Sequence, residues 1–261
     1  ERIKNLLCKN VELIDKGILW YTDRDRGDYV ETIIALTKNY ETERKIAYHI
    51  KRLLNGTNNI ALNEDDVDEL VLPQERKQGW QFTEQQKDGI KAIIHSNVVI
   101  IRGYGGTGKS SSVAGLLSCL DEEYSFVQCA LSGKASVNLR DITGKNGSTI
   151  HTLLGYNPEG GFKHTERDPL MTDMVILDEA SMVDIGLFLS LISAIKTGSK
   201  LVMLGDTNQL EAIGVGNVLM DLIDSEVVPT IVFDKVHRQG AKSAIKTESI
   251  KVAEGKQLTK T

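Results

Sequence analysis

Hydrophobic positions change period repeatedly along the 261-residue chain, and each change predicts an element. Apolar residues run unalternated at 98–101 and 174–177, and dominate 124–130, 200–204 and 230–233. Short runs of this kind suit strands buried on both faces of a parallel sheet. Between them the spacing turns helical. Val113, Leu116, Leu117 and Leu120 mark a helix over 110–120, and further helices are predicted within 131–144, at 148–154, over 183–195 and up to Ile223. Strands alternating with helices in this order predict an α/β domain with a mainly parallel sheet.

The N-terminal part reads differently. Residues 1–10 form an amphipathic pattern with Ile3, Leu6 and Leu7 on one side. Two short strands at 18–22 and 28–30 are predicted around a turn, followed by a helix at about 41–54 that Asn55-Gly56 would stop. Residues 1–56 therefore look like a small helical, winged accessory unit, of a type that binds DNA or braces a neighbour. Residues 57–80 are polar, acidic around 64–69 and carry Pro73, so a short helix and linker are expected there. Residues 81–261 hold the α/β pattern. Within them, 155–173 is rich in Gly, Pro and charge and too long for a plain turn, which predicts an inserted β-hairpin or protruding loop.

Composition narrows the class. Hydrophobic residues at 41% and charged residues at 26% are ordinary for a globular chain. Cys8, Cys119 and Cys129 form no C-x-x-C pair, which argues against a disulfide framework or zinc site and for a reducing, cytoplasmic setting. No apolar run is long enough to span a bilayer and no signal-peptide pattern opens the chain. It starts at Glu1, which suggests a piece of a longer protein. A net charge of −5 advertises no nucleic-acid partner globally, so any such surface must be a local patch.

Chemistry concentrates where the apolar runs end. The run at 98–101 leads into Gly103-Tyr-Gly-Gly-Thr-Gly-Lys-Ser110, the phosphate-loop pattern G-x-x-x-x-G-K-[ST] between a strand and a helix. Gly105, Gly106, Thr107 and Gly108 would turn backbone N–H groups toward a phosphate, helped by the helix N-terminus, with Ser111 following. Lys109 would reach the β- and γ-phosphates of ATP, and the Ser110 hydroxyl would ligate Mg²⁺. A glutamine about one helix upstream can read adenine, because one amide both donates and accepts; Gln85 and Gln86 are both placed for it. The run at 174–177 ends in Asp178-Glu179, where Asp178 would hold Mg²⁺ and Glu179 would activate the attacking water. The run at 200–204 ends in Gly205-Asp-Thr-Asn-Gln-Leu210, where Gln209 can bond a γ-phosphate or the water. Arg238, beyond the last strand, would stabilise transition-state charge.

Taken in order, Gly-Tyr-Gly-Gly-Thr-Gly-Lys-Ser, Ile-His-Thr-Leu-Leu-Gly-Tyr, Leu-Asp-Glu-Ala-Ser-Met-Val-Asp, Gly-Asp-Thr-Asn-Gln-Leu and His-Arg-Gln resemble the motifs of RecD-like superfamily 1B DNA helicases, most closely the RecD2 type. The resemblance covers nearly the whole chain. It implies a RecA-like first motor domain over 81–261, preceded by the accessory unit, with the second RecA-like domain not among these residues. It selects Gln86 as the adenine reader, Ser132, Gly133, Lys134 and His151 as single-stranded DNA contacts, Gln209 as γ-phosphate sensor and Arg238 as arginine finger. It also implies a duplex-parting pin within 155–173 and 5′ to 3′ movement on single-stranded DNA in a bacterial or phage-infected cell. Glu211 departs from the family's usual Pro, and His237 from its usual aromatic. A small-molecule kinase explains the phosphate loop but not Gln209, Arg238 or the loop at 132–134. A DNA-binding module without turnover sits poorly with an intact Lys109, Asp178 and Glu179.

Overall fold

The computed structural model describes residues 17–27, 29–60, 62–104, 107–120, 124–206 and 208–234. The helix expected over 1–10, the stretch 241–261, Gly105, Gly106 and Arg238 lie outside the described residues. The chain enters through an antiparallel hairpin, β1 (Leu19–Asp25) and β2 (Val30–Leu36). The second strand, expected at 28–30, runs on to Leu36 because Val-Glu-Thr-Ile-Ile-Ala-Leu is rich in residues that favour a pleated surface. Helix α1 (Thr37–Leu54) follows directly.

Residues 57–80, expected as a short helix and linker, are helical in part and fold onto the domain. A 3₁₀ turn (Glu64–Asp66), α2 (Val67–Leu70) and α3 (Leu72–Gln78) succeed one another. They bury Ile60, Val67 and Val71 in the same apolar cluster as α4 (Glu84–His95), while Asp65, Asp66 and Asp68 stay in solvent. The acidic face is thus the outer side of a packed segment.

The rest is a layered α/β unit. In chain order come β3 (Val98–Gly103), α5 (Lys109–Cys119), β4 (Phe126–Ala130), α6 (Gly133–Thr143), β5 (Gly147–Thr149) and α7 (Ile150–Leu153). A two-residue-per-strand hairpin, β6 (Tyr156–Asn157) and β7 (Gly161–Phe162), then precedes β8 (Met174–Asp178). A 3₁₀ turn (Ala180–Met182), α8 (Ile185–Ala194), β9 (Lys200–Gly205), α9 (Val218–Asp224) and β10 (Thr230–Phe233) complete it. Among the described residues six strands form one sheet in the order β10-β3-β9-β8-β4-β5, every neighbouring pair parallel. This is the mainly parallel α/β sheet that the pattern predicts and the RecA-like phosphate-loop arrangement that the resemblance implies. The edge strand β5 was not expected; three residues give too little pattern to find. The hairpin expected over 155–173 pairs only from Tyr156 to Phe162.

Alternate residues of the central strands feed two cores. Val98, Ile100, Val175, Leu177, Leu201 and Met203 face α1, α8 and α9. Val99, Ile101, Met174, Ile176, Val202 and Leu204 face α4, α5 and the segment 60–71. Ile46, Ile50 and Leu53 of α1 are integral to the first core. Arg52 locks this helix in place: its guanidinium donates to the carbonyls of Ile192 (3.1 Å) and Ile195 (2.8 Å) at the end of α8, and to Thr197 Oγ1 (2.8 Å). A cation on the last carbonyls of a helix also meets the negative end of its dipole. Asn97 Nδ2 bonds the carbonyls of Leu53 (3.1 Å) and Gly56 (2.7 Å), fixing the exit of α1 against the start of β3. Among the described residues no helix is long and apolar enough to cross a membrane.

Lys200 opens β9 with a side chain only 1% exposed, its ammonium donating to the carbonyls of Ile94 and Ser96, both at 3.0 Å. It closes the C-terminus of α4, and burial pulls its pKa down to about 8 from 10.5. Between those values the unfolded chain holds more protons at this site than the native one, so native stability rises with pH across the window. We expect the wild-type protein to gain about 3 kcal/mol relative to Lys200→Met as pH rises through that window. Urea unfolding of both proteins at several pH values checks this. A constant difference would show that Lys200 titrates as an ordinary lysine.

Candidate nucleotide site

The phosphate loop begins where β3 passes β10. A Cβ on Gly103 would lie 2.5 Å from the Phe233 carbonyl and 2.8 Å from Thr107 Oγ1, so only glycine fits there. The next carbonyl, Tyr104, accepts from Thr107 Oγ1 (2.9 Å) and from the Lys109 ammonium (3.1 Å). Lys109 donates also to the Gly103 carbonyl. The lysine is thus folded back onto its own loop. Burial lowers its pKa, and the carboxylates of Asp206 and then Asp178 oppose that shift.

Gly108 ends the loop at φ +90°, the left-handed conformation that glycine takes without strain, and caps α5. A Cβ there would fall on the Gln86 amide. Gln86 is 1% exposed and does two jobs. In a capping box at the start of α4 its Oε1 accepts from Thr83 N–H (3.0 Å), while Thr83 Oγ1 accepts from Gln86 N–H (3.3 Å). That leaves Nε2 without a hydrogen-bond partner among the described residues, aimed at the loop. Gln85, the other candidate, turns outward and donates to Asp234 Oδ1 at 2.8 Å.

Asp178 ends β8 beside the loop. Its carboxylate accepts from Glu179 N–H (2.8 Å) and from the Ser110 hydroxyl. Burial raises its pKa; the Glu179 N–H, the Lys109 charge and the Ser110 bond work against that. Ser110 and Asp178 therefore already bring two hard oxygen donors together, a set that suits Mg²⁺ completed by water and phosphate oxygens. Glu179 sits at φ 54°, ψ 38°, a left-handed conformation that a residue with a Cβ rarely adopts. Its pKa is raised by burial first and by neighbouring Asp178 second, which gives a carboxylate better fitted to accept a proton. Such strain concentrates at sites where a side chain must be aimed.

The structure brings Lys109, Ser110, Asp178, Glu179 and Gln86 to one rim, the C-terminal ends of the strands. Ligands bind at such rims in open α/β sheets. Ser111 is half-buried in the first turn of α5 and Thr107 is buried in the loop. Gln209 is not brought in: its backbone N–H bonds the Asp206 carbonyl (3.1 Å), and the residue is exposed. Ser132, Gly133 and Lys134 are exposed at the start of α6, where Ser132 Oγ caps the helix by accepting from Ala135 N–H (3.2 Å). His151, exposed in α7, follows β5. These four sit at the same rim over the β4–β5 edge, away from the β3 loop. There His151 meets the rings of Tyr156 (5.5 Å between centroids) and Phe162 (5.7 Å), making a small aromatic shelf with β6 and β7.

Two features were missed in the sequence. One is that shelf, which required knowing that the hairpin folds onto α7. The other is Asp206, 7% exposed at the end of β9, whose charge reaches Lys109. Its signal was present, since it follows an apolar run just as Asp178 does.

A family model described as an AAA domain, AAA_30, matches residues 81–261. The ATP-dependent RecD2 DNA helicase of Deinococcus radiodurans is 35% identical over 215 residues, covering 81% of this chain and 29% of that protein. The RecBCD enzyme subunit RecD of Mycolicibacterium smegmatis is 29% identical over 167 residues, covering 54% of this chain and 30% of its own. The chain thus spans less than a third of the length of these curated relatives. The crystal structure of the Pif1 helicase from Candida albicans superposes with a TM-score of 0.49 at 23% identity, over 66% of this chain and 44% of that one.

Replacing Gly108 by Ala tests how tightly this rim is built. The left-handed backbone alone costs roughly 1–2 kcal/mol for a residue with a Cβ. We expect Gly108→Ala to lower the unfolding free energy by at least that much, because the Gln86 amide must also move. Denaturant titration measures it, and an unchanged midpoint would mean that the loop holds a different conformation.

Proposed function

The chain belongs to the AAA_30 family of AAA domains, and we propose that its sheet rim binds and hydrolyses ATP to drive a RecD-type DNA helicase. The observation that carries this reading is the meeting of Lys109 with the Ser110–Asp178 pair and Glu179 at one rim. In this reading the Lys109 ammonium leaves the carbonyls of Gly103 and Tyr104 for the β- and γ-phosphates, exchanging neutral acceptors for charged ones. Gln86 offers its open Nε2–H to an acceptor on the adenine ring, its orientation fixed by the Thr83 bond. Ser110 and Asp178 would hold Mg²⁺, which when bound neutralises charge on the phosphate oxygens. Glu179 takes the proton of the attacking water. Gln209 closes on the γ-phosphate from the loop after β9, and Arg238 acts as arginine finger.

The polynucleotide track lies on the outer rim. Ser132, Gly133, Lys134 and His151 contact single-stranded DNA, and the hairpin within 155–173 acts as the pin at the junction with duplex. Support comes from the shared placement of these residues over β4 and β5. The relatives, a DNA helicase and a subunit of a RecBCD enzyme, point the same way. We place the whole protein in the cytoplasm, moving 5′ to 3′, with a second motor domain supplying the other wall of the ATP cleft.

The test uses the full-length protein. Single-stranded DNA is expected to stimulate ATP hydrolysis at least 10-fold. Lys109→Ala should abolish turnover, and Glu179→Gln should keep nucleotide binding while losing on the order of 10²–10⁴-fold in rate. Hydrolysis at the normal rate in Lys109→Ala would sink the reading. The 261-residue chain by itself should bind nucleotide weakly and separate no strands. Robust unwinding by it would show that one motor domain suffices.

A further inference from the structure

The hairpin within 155–173 is too short to hold itself. Its strands pair only over Tyr156–Asn157 and Gly161–Phe162, and an isolated two-stranded hairpin is marginal even when longer. At the rim, Lys163 N–H and His164 N–H both donate to the Leu154 carbonyl at 3.0 Å. From there the return limb, 164–170, crosses to the opposite end of the sheet, where β8 starts at Met174. Thr165 N–H on the Asp168 carbonyl (3.1 Å), and His164 Nδ1 3.6 Å from the Asp168 carboxylate, keep the limb compact.

The limb ends on the C-terminus of α8. A helix end leaves four carbonyls without partners inside the helix. Leu170 N–H takes that of Ala194 (2.8 Å), and Leu170 forms a parallel bridge with Ile195. The neighbouring carbonyls, Ile192 and Ile195, are those held by Arg52 of α1. Accessory helix and insertion are therefore fastened to the same helix end. Apolar contact joins them as well: Ile46, Ile50 and Leu53 of α1 share one buried cluster with Leu154 and Leu170, and Phe162 of β7 packs against it. His49, 5% exposed, orients the guanidinium by accepting from Arg52 Nε at 3.2 Å. Burial lowers the pKa of both groups, for His49 with the Arg52 charge adding to it, and the Glu166 carboxylate of the return limb opposes the shift at each.

We propose that α1 is the brace of the insertion and that Arg52 is its positioning residue, fixing the stance of the hairpin toward the polynucleotide. The proposal rests on the helicase reading above, and it makes this part of the accessory unit a brace for its neighbour. A pin parts a duplex only if it stays in place while the motor advances. Strands β6 and β7 have too few ladder bonds for that, so the stiffness is borrowed. One planar guanidinium ties α1 to the last carbonyls of α8 and to Thr197, and the end of α8 holds the limb. Lysine, a point charge on a flexible stem, does not reproduce that fork. The junction lies at the far end of the sheet from Asp178, roughly 13 Å away along β8 at about 3.3 Å per residue. Loosening it frees the hairpin and leaves hydrolysis alone.

The test is made in the full-length protein with Arg52→Lys and Arg52→Met, the second keeping an apolar stem without charge. It reads DNA-stimulated ATP hydrolysis, unwinding of a forked duplex and amide hydrogen exchange. In both variants kcat for hydrolysis and the KM for single-stranded DNA are expected within twofold of the parent. Unwinding should fall at least threefold in Arg52→Lys and at least 10-fold in Arg52→Met. Exchange at the amides of 163–170 should quicken at least 10-fold, with those of β3 unchanged. A merely structural Arg52 would lower hydrolysis and unwinding together and speed exchange across the sheet. That outcome, unwinding at the parent's rate, or unchanged exchange at 163–170 would overturn the proposal. Should Arg52→Met fail to fold, Arg52→Lys decides by the same criteria. A parent that hydrolyses no ATP or separates no duplex would instead overturn the helicase reading, and this inference with it.

Discussion

Lys109 carries its charge into a half-buried rim, and an ammonium drawn partly out of water must be met by oxygen. The carbonyls of Gly103 and Tyr104 supply it directly, and Asp178 and Asp206 supply negative charge from neighbouring strands. That requirement explains why the loop has so little freedom in sequence. Gly103 must lack a side chain to pass β10, and Gly108 must be left-handed to turn Lys109 into α5. The parallel sheet does the rest, since adjacent parallel strands end on the same side. Residues far apart in the chain, at the ends of β3, β8 and β9, are thereby brought to one rim.

The central strands were legible because both their faces are buried. Burial on both sides leaves no polar alternation, so the apolar runs at 98–101, 174–177 and 200–204 stand out from everything around them. Segments that bury one side only were harder. Residues 57–80 carry Ile60, Val67 and Val71 among acids, too few and too widely spaced to announce a core face. Their burial follows from α4 and α5 lying beside them, a tertiary fact. Arg52 shows the same limit from the polar side. As sequence it is one more cation near the end of α1, and its three bonds to the end of α8 and to Thr197 exist only once two helices meet.

For the site, residue types were legible and their postures were not. Lys109, Ser110, Asp178 and Glu179 follow from a motif placed at a strand end. The left-handed backbone of Glu179 does not, because it is set by the tight turn over 180–182 that begins immediately after it. Gln86 was named for reading a base, yet its first visible engagement is with Thr83. The two roles are compatible only because an amide has two ends: capping occupies Oε1 and leaves Nε2 facing the loop.

How nucleotide chemistry could be felt along the rim follows from the order of strands. Asp178 is paired in register with Ala130, the last residue of β4. Two residues beyond Ala130 stands Ser132, whose hydroxyl caps α6. A carboxylate that changes partners at Asp178 therefore acts one strand away from the turn that sets the position of Gly133 and Lys134. On the other side, Asp206 adjoins Gly103 in the same manner through β9. The sheet itself is packed on both faces and yields little, so displacement is confined to the loops that emerge from it. In the proposed reading, a rigid sheet with short loops on neighbouring strands would couple the two ligands through the few residues where the strands end.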